Sequence, residues 1–306
     1  MLRFNRREFL EKSSGALALL AATGKLKAAL PGRARRLHIG AQTNAWGMPI
    51  NNYNDLLRIA DTLARLKYEG FETNYKALSA RFNQAAACRK DFAARHVQLA
   101  GLYCPGRLLD KEKIPGEIES LRKIAGSIAE MGGGYQLIGT GGFPQRGGHL
   151  DLNLMSVWTD ALNRLGKVVK AEGVELCYHN HRHEFEGDPT PMSLLLRDTD
   201  PEIVRLCFDV GHAVGLVRPA DFSAEHFRRI RIYHLKDVKL EDSGKLVYTK
   251  LGKGQVNLEG VVAPLLKSDW SGWLEIEDER NFPHPLPDPE ETLRQDRAYL
   301  RQITSV

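Results

Sequence analysis

Two histidines and two carboxylates, His179, Asp209, His234 and Glu277, are the residues of this sequence best placed to do chemistry, because each stands near the end of a short apolar run. The runs are Val174 to His181, Val204 to His212, Arg231 to Asp237 and Trp273 to Glu279. Successive side chains of an extended chain point to opposite faces, so the apolar residues of each run set its phase. Val204, Leu206, Phe208 and Val210 take one face and leave Cys207 and Asp209 on the other. By the same parity Ile230, Ile232, His234 and Lys236 oppose Tyr233 and Leu235, and Glu275, Glu277 and Glu279 oppose Leu274 and Ile276. Cys177, His179 and His181 share the inward face of their run. If the four runs are consecutive strands of one sheet, His179, Asp209, His234 and Glu277 meet at one rim. Imidazole nitrogens and carboxylate oxygens together suit Mn2+, Zn2+ or Co2+, whereas Mg2+, which prefers an all-oxygen set, matches less well. A lone inward histidine is more often a hydrogen-bonded polar residue than a ligand, and an acid low in a strand such as Glu175 more often pairs internally, here with Arg205. Four such residues in register are harder to explain that way.

The elements that must position them alternate along the chain. Beyond residue 36 eight strand candidates follow one another: Leu37 to Trp46, Gly70 to Tyr75, Val97 to Cys104, Tyr135 to Gly141, and the four runs above. Between them lie stretches of helical periodicity, such as Leu56, Ile59, Ala60, Leu63, Leu66 and Ile118, Leu121, Ile124, Ala125, Ile128. Strand and helix in regular alternation mean a parallel sheet. Eight such units predict a closed single (β/α)8 TIM barrel over residues 37–306. No Gly-x-Gly-x-x-Gly follows the first strand, which removes the dinucleotide-binding alternative. Polar residues instead collect at strand ends, at Gln42, Asn44, Glu72, Asn74, His179, His181, Asp209, His212, His234, Lys236 and Glu277, where barrel enzymes keep their active sites.

Leu206-Cys207-Phe208-Asp209-Val210-Gly211-His212, Ile232-Tyr233-His234-Leu235-Lys236-Asp237 and Gly272-Trp273 through Ile276-Glu277 resemble three successive strand motifs of the xylose isomerase-like barrels, the sugar phosphate isomerase/epimerase superfamily. Tyr178-His179-Asn180-His181 with Glu184-Phe185 looks like the YHNHxxEF variant of one branch. The resemblance covers the chain after residue 36 and is strongest from residue 170 onward. It implies a divalent metal held by Glu, Asp, His and Glu from the last four strands, which carries over to Asp209, His234 and Glu277; the first glutamate of the family falls on His179 here. In the epimerases and isomerases two metal-bound glutamates pass a proton across the substrate, and this chain keeps only the second. Three alternatives follow. His179 is both ligand and base; or Glu184, His181 or His183 takes the missing role; or one carboxylate suffices, as for the elimination carried out by inosose dehydratase relatives.

The expected activity is a metal-dependent sugar isomerase or epimerase acting on a keto-sugar or polyol through an enediolate. Its alternative is a metal-dependent lyase that dehydrates a keto-polyol or cleaves a 3-keto-glycoside. Glu277 is the expected base and His179 the acid or second base opposite, while His181, His212, Lys236, Glu72 and Glu184 are expected to bind substrate. A rim salt-bridge role accounts equally well for His212, Lys236 and Glu72. Another class, a non-catalytic exported sugar-binding protein, is compatible with the altered ligand set. The polar segment Val238 to Gly254 is either a lid over the sugar or a surface hairpin.

Charge separates the front of the chain from its body. Residues 1–36 carry nine Lys/Arg against Glu8 and Glu11, a local charge of +7 in a chain of net +5, leaving −2 for the rest. A faintly acidic body offers no broad footprint for phosphate backbones, which argues against nucleic acid as partner and against an endonuclease of the same barrel type. The front segment has a charged start, an apolar run from Gly15 to Ala22 and small residues at Ala28 and Ala29, the layout of an export signal, and the run is too short to span a bilayer. Asn5-Arg6-Arg7-Glu8-Phe9-Leu10 resembles the twin-arginine signal, which implies transport of the folded protein by the twin-arginine machinery to the periplasm, with no stable membrane anchor in the mature form. The four cysteines, Cys88, Cys104, Cys177 and Cys207, have no CxxC spacing; a Cys177–Cys207 disulfide is the pairing that strand phase would allow.

Overall fold

A computed structural model describes residues 37–48, 50–139, 144–146 and 149–306; segment 1–36, where the sequence suggests an export signal, lies outside the described residues. Eight strands form the sheet: β1 (Leu37–Gln42), β2 (Gly70–Asn74), β3 (Gln98–Cys104), β4 (Tyr135–Ile138), β5 (Glu175–His179), β6 (Val204–Asp209), β7 (Ile230–Leu235) and β8 (Gly272–Ile276). Each pairs in parallel with its sequence neighbours, and β8 closes on β1 through registers such as Ile39↔Leu274. The fold is therefore the TIM barrel expected from the alternation of elements.

A main helix follows each strand, α1 (Tyr53–Arg65), α2 (Ala85–Ala94), α3 (Ile114–Glu130), α4 (Leu152–Ala171), α5 (Pro191–Asp198), α6 (Pro219–His226), α7 (Leu258–Leu266) and α8 (Pro289–Thr304), with one further helical turn, Tyr75–Leu78, between β2 and α2. Their starts are written locally. Asn52, Asp151, Thr190, Asn257 and Asp288 each accept a backbone N–H of the first turn they cap, satisfying donors that a helix N-terminus leaves free. At the far end of α4, Gly173 takes φ +88°, a left-handed turn suited to glycine, and the chain enters β5 two residues later.

The core divides as strand alternation demands. Val204, Leu206, Phe208, Val210, Tyr233, Leu274 and Ile276 pack outward beneath the helices, and Ala100, Leu137, Cys177, Cys207, Ile232 and Trp273 fill the barrel interior. One expected phase is corrected. Ile230 belongs to the outer cluster, because the β6–β7 register skips Arg231: Leu206 pairs with Ile230 and Cys207 with Ile232. The bulge sends Arg231 Nε to Glu175 Oε2 (3.2 Å), where it joins the expected Glu175–Arg205 pair (3.0 Å). All four cysteines are free and buried, so Cys177 and Cys207 act as small interior fillers rather than a disulfide.

The strands stop earlier than their apolar patterns suggested. After Gln42 the chain turns into a 3-10 helix, Thr43–Trp46, and after His179 into another, Arg182–Phe185. Polar rim residues leave the ladder because their backbone is held by side chains: Gln42 Oε1 accepts from Asn44 N, and Glu184 Oε2 accepts from His181 N. Residues 238–254 contain an antiparallel hairpin in which Asp237–Leu240 pairs with Leu246–Thr249. Its base is stapled by the Asp237 carboxylate, which accepts from the backbone N–H of Val238, Gly254 and Val256. Among the described residues no helix is long and apolar enough to cross a membrane.

Candidate metal centre

The C-terminal ends of β5, β6, β7 and the turn just beyond β8 bring His179, Asp209, His234 and Glu277 together, with one ligand atom from each lying within 4.8 Å of all the others. All four are buried. Both ring nitrogens of His179 and His234 Nδ1 are sealed from solvent without a hydrogen bond of good geometry, and Asp209 Oδ2 and Glu277 Oε2, buried beside them, lie against the Lys236 ammonium at 2.7 and 3.0 Å. His234 Nδ1 lies 2.7 Å from Glu277 Oε2, and His179 Nε2 lies 3.5 Å from Asp209 Oδ2. Buried polar atoms left without hydrogen bonds are costly unless something else coordinates them. Two nitrogens and two carboxylates converging in this way fit one divalent cation.

Residues behind the four hold them in place. His234 Nε2 lies 2.7 Å from Glu72 Oε2, so the ring is gripped from behind by a carboxylate while Nδ1 faces the cluster, the arrangement that orients many metal-binding histidines. Glu72, expected to meet a substrate hydroxyl, is thereby fully buried behind an imidazole instead. Asn44 Nδ2 donates to Glu277 Oε1 at 2.6 Å, turning Oε2 toward the other ligands. Asn180 accepts from Asp209 N (2.9 Å) and donates to Asp209 O (3.0 Å), joining the end of β5 to that of β6. Sequence reasoning gave neither asparagine a role.

Below them Glu275 is fully buried and neither of its oxygens has a hydrogen-bond partner. Burial first, and then the charge of Glu72, push its carboxyl well above the usual range, which favours the neutral acid. Its room exists because the neighbouring residue on β1 is Gly40; a Cβ there would overlap the Glu275 carboxylate.

Lys236 supplies the opposite charge. Its Nζ lies 2.7 Å from Asp209 Oδ2, 3.0 Å from Glu277 Oε2 and 2.5 Å from Glu279 Oε2. Burial works against an ammonium here, but Asp209, Glu277 and Glu279 outweigh it and raise Lys236 well above its ordinary value. The same exchange runs in reverse for Glu277: burial favours the acid, Lys236 and His234 favour the carboxylate more, and it stays ionised.

Around this core stand His181 and His212. Burial, reinforced by His179, lowers His181 to about 4, and burial lowers His212 to about 3 against the pull of Asp209, so both imidazoles are neutral at pH 7. His212 N donates to Asp209 Oδ1 (3.0 Å), and its Nδ1 lies 3.3 Å from Tyr248 Oη, which the hairpin carries in. Tyr248 escaped the sequence reading because only the hairpin fold brings it to the rim. Glu184, also expected to bind substrate, faces away: its Oε1 accepts from Tyr178 Oη (2.5 Å) and its Oε2 from His181 N (2.8 Å), so it braces the loop that carries His181.

The sequence profile of the xylose isomerase-like TIM barrels matches residues 60–303. The chain belongs to that family. Within it, the chain is 32% identical over 139 residues to an inosose dehydratase of Salmonella agona, a match covering 40% of this chain and 46% of that protein. It thus spans about half the length of that relative. With an inosose dehydratase of Bacillus velezensis the identity is 24% over 275 residues, covering 79% of this chain and 91% of the other. A xylose isomerase-like TIM-barrel protein from Mycobacterium smegmatis, solved in complex with magnesium, superimposes with a TM-score of 0.69 at 15% identity over 88% of this chain and 96% of that one, which shows the shared fold.

Proposed function

We propose that this family member is a divalent-metal-dependent enzyme that removes the proton α to the carbonyl of a keto-polyol or keto-sugar and expels a group from the adjacent carbon. The observation that carries this reading is the asymmetry of the centre. Glu277 shares the cluster with His179, an imidazole where the family pattern has a second glutamate, so the two candidate proton carriers differ in kind. An elimination asks for one base and one hydrogen-bond donor to the leaving oxygen, whereas epimerisation asks for two groups of matched basicity on opposite faces of the substrate.

His179, Asp209, His234 and Glu277 would hold the ion. When bound it supplies Lewis-acid stabilisation of negative charge developing on the substrate's carbonyl oxygen. Glu277, ionised and turned by Asn44, accepts the α-proton. Lys236 balances the charge of Asp209, Glu277 and Glu279, and its three N–H groups are directed at those carboxylates. His181, neutral and with a buried Nδ1 that has no hydrogen-bond partner, is suited to donate to the leaving oxygen. Similarity to inosose dehydratases supports the same direction. Epimerisation or isomerisation is the second reading, favoured by the presence of His179 in the same cluster as Glu277, and it takes His179 as the second proton carrier.

The test is to incubate metal-loaded protein with inososes, keto-sugars and 3-keto-glycosides in D2O and follow products by NMR. Loss of a hydroxyl or alkoxyl group supports elimination; deuterium in a recovered epimer or isomer supports the second reading; absence of exchange with every substrate in metal-bound protein counts against both and favours a non-catalytic sugar-binding protein. Export by the twin-arginine route is a separate proposal, tested by whether Arg6→Lys with Arg7→Lys abolishes periplasmic accumulation.

A further inference from the structure

We infer that the β1–β3 side of the rim holds an apolar subsite that receives an aryl group carried by the substrate. A pocket of about 340 Å3 opens there, lined by Met48, Asn74, Tyr75, Lys76, Tyr103 and Pro105. That volume is at the small end of ligand pockets and is enough for an aromatic substituent.

Tyr103 ties the pocket to the metal centre. Its ring stands edge-on to His179 with centroids 5.7 Å apart, so one tyrosine forms both the wall of the pocket and the border of the cluster. A substrate whose sugar ring reaches His179 and Glu277 would therefore direct a substituent along Tyr103 and onto Tyr75. Tyr75 is itself braced, its ring meeting Phe82 at 5.7 Å in an edge contact.

The chemistry of the lining selects the occupant. Among the described residues no carboxylate lines the pocket. The one amide, Asn74, already donates Nδ2 to Met48 Sδ (2.8 Å) and accepts from Lys76 N (2.9 Å) through Oδ1. The single charge, Lys76, is exposed. For a second sugar the lining offers only two tyrosine hydroxyls, the remaining N–H of Asn74 and the exposed Lys76, fewer partners than the sugar's hydroxyls need, and a buried hydroxyl without a hydrogen bond is costly. An aryl ring needs none and gains from burial against tyrosine, methionine and proline surfaces, including offset or edge contacts with tyrosine rings.

This inference rests on the proposed chemistry for the position of the sugar, and the test separates the two. Manganese-loaded full-length protein is titrated calorimetrically with methyl, phenyl and glucosyl 3-keto-β-D-glucosides, and deuterium uptake from D2O is followed for the same three. The expected result is a Kd at least about tenfold lower for the phenyl than for the methyl compound, the order of discrimination that one apolar group provides in a fitted pocket. Tyr75→Ala or, should that variant not fold, Met48→Ala, is expected to remove most of that advantage. Equal affinities for phenyl and methyl compounds, with deuterium uptake intact, overturn the subsite and leave the proton-abstraction reading standing. A phenyl advantage without uptake supports the subsite and defeats the chemistry. Tighter binding of the glucosyl compound than the phenyl one overturns the aryl assignment in favour of a second sugar, and binding of none of the three overturns it outright.

Discussion

The two halves of the barrel rim differ in kind. Strands β5–β8 and the turns after them carry His179, Asp209, His234, Lys236, Glu277 and Glu279, and here the Lys236 ammonium faces three carboxylates while His234 lies against Glu277. Strands β1–β4 present amides and rings, Gln42, Asn44, Asn74 and Tyr103, and reach the network chiefly through Asn44 and Glu72, which steady Glu277 and His234. The difference teaches a division of labour. The β5–β8 half can bind an ion and move a proton, and the β1–β4 half, whose one carboxylate at this rim among the described residues is Glu72 behind His234, can tune the first and shape what fits beside it. A barrel allows this because eight strands end at one rim, so residues distant in sequence share a site.

The comparison is broken most directly at Glu277. Glu277→Gln keeps shape and the Asn44 contact but removes the base, and substrate deuterium exchange is expected to fall by about a thousandfold or more. Retention of exchange within tenfold would move the base elsewhere, His179 first.

A second test asks whether charge burial in the β5–β8 half extends to its outer supports. Asp296 on α8 accepts from Leu251 N, just after the hairpin, and burial, with Asp278 nearby, raises its carboxyl from 3.8 to about 7. The folded state then binds a proton between those values that the unfolded state releases, so stability falls as pH rises from about 4 to about 7 and stays lower above that. The shift corresponds at most to roughly 4 kcal/mol. Asp296→Asn is expected to flatten this slope and to be the more stable protein at pH 8 in urea melts. An unchanged slope would place the titration elsewhere.

The third test probes the β1–β4 half in its supporting role. Glu72→Gln leaves all four ligands in place and weakens only the grip on His234 Nε2, and affinity for Mn2+ by titration is expected to drop about 10- to 100-fold. No change would show that the two halves are independent. The smallest effect belongs to Tyr248→Phe, which removes one hydroxyl 3.3 Å from His212 Nδ1. It is expected to cost about two- to fivefold in kcat/KM, near the worth of one ordinary hydrogen bond; a loss above a hundredfold would make Tyr248 part of the proton path.

Side-chain alternation explains why the β5–β8 half could be read beforehand. Phe208 and Val210 must face the helices, so Asp209 must face inward, and the same argument places His234 and Glu277; each inference needs only neighbouring residues. The exception, Ile230, marks its limit, because a bulge is a property of two paired strands and not of one. Glu72 and Glu184 illustrate the same limit for polar residues. Both stand at legible positions, yet whether a carboxylate turns to solvent, to an imidazole or to a backbone N–H depends on which groups arrive beside it from elsewhere in the chain.

By itself, then, the amino-acid sequence determined the alternation of strands and helices, the inward phase of His179, Asp209, His234 and Glu277, and the capping residues that start the helices, since all of these follow from interactions a few residues long. Tertiary structure alone decided that Asn44 turns Glu277, that Glu72 backs His234, that Tyr248 reaches His212 and that Tyr103 joins an apolar pocket to the metal centre. Those pairings come from the closure of β1 on β8 and from the folding of a hairpin over the rim, and their distances are set by packing across the whole barrel rather than by any local pattern.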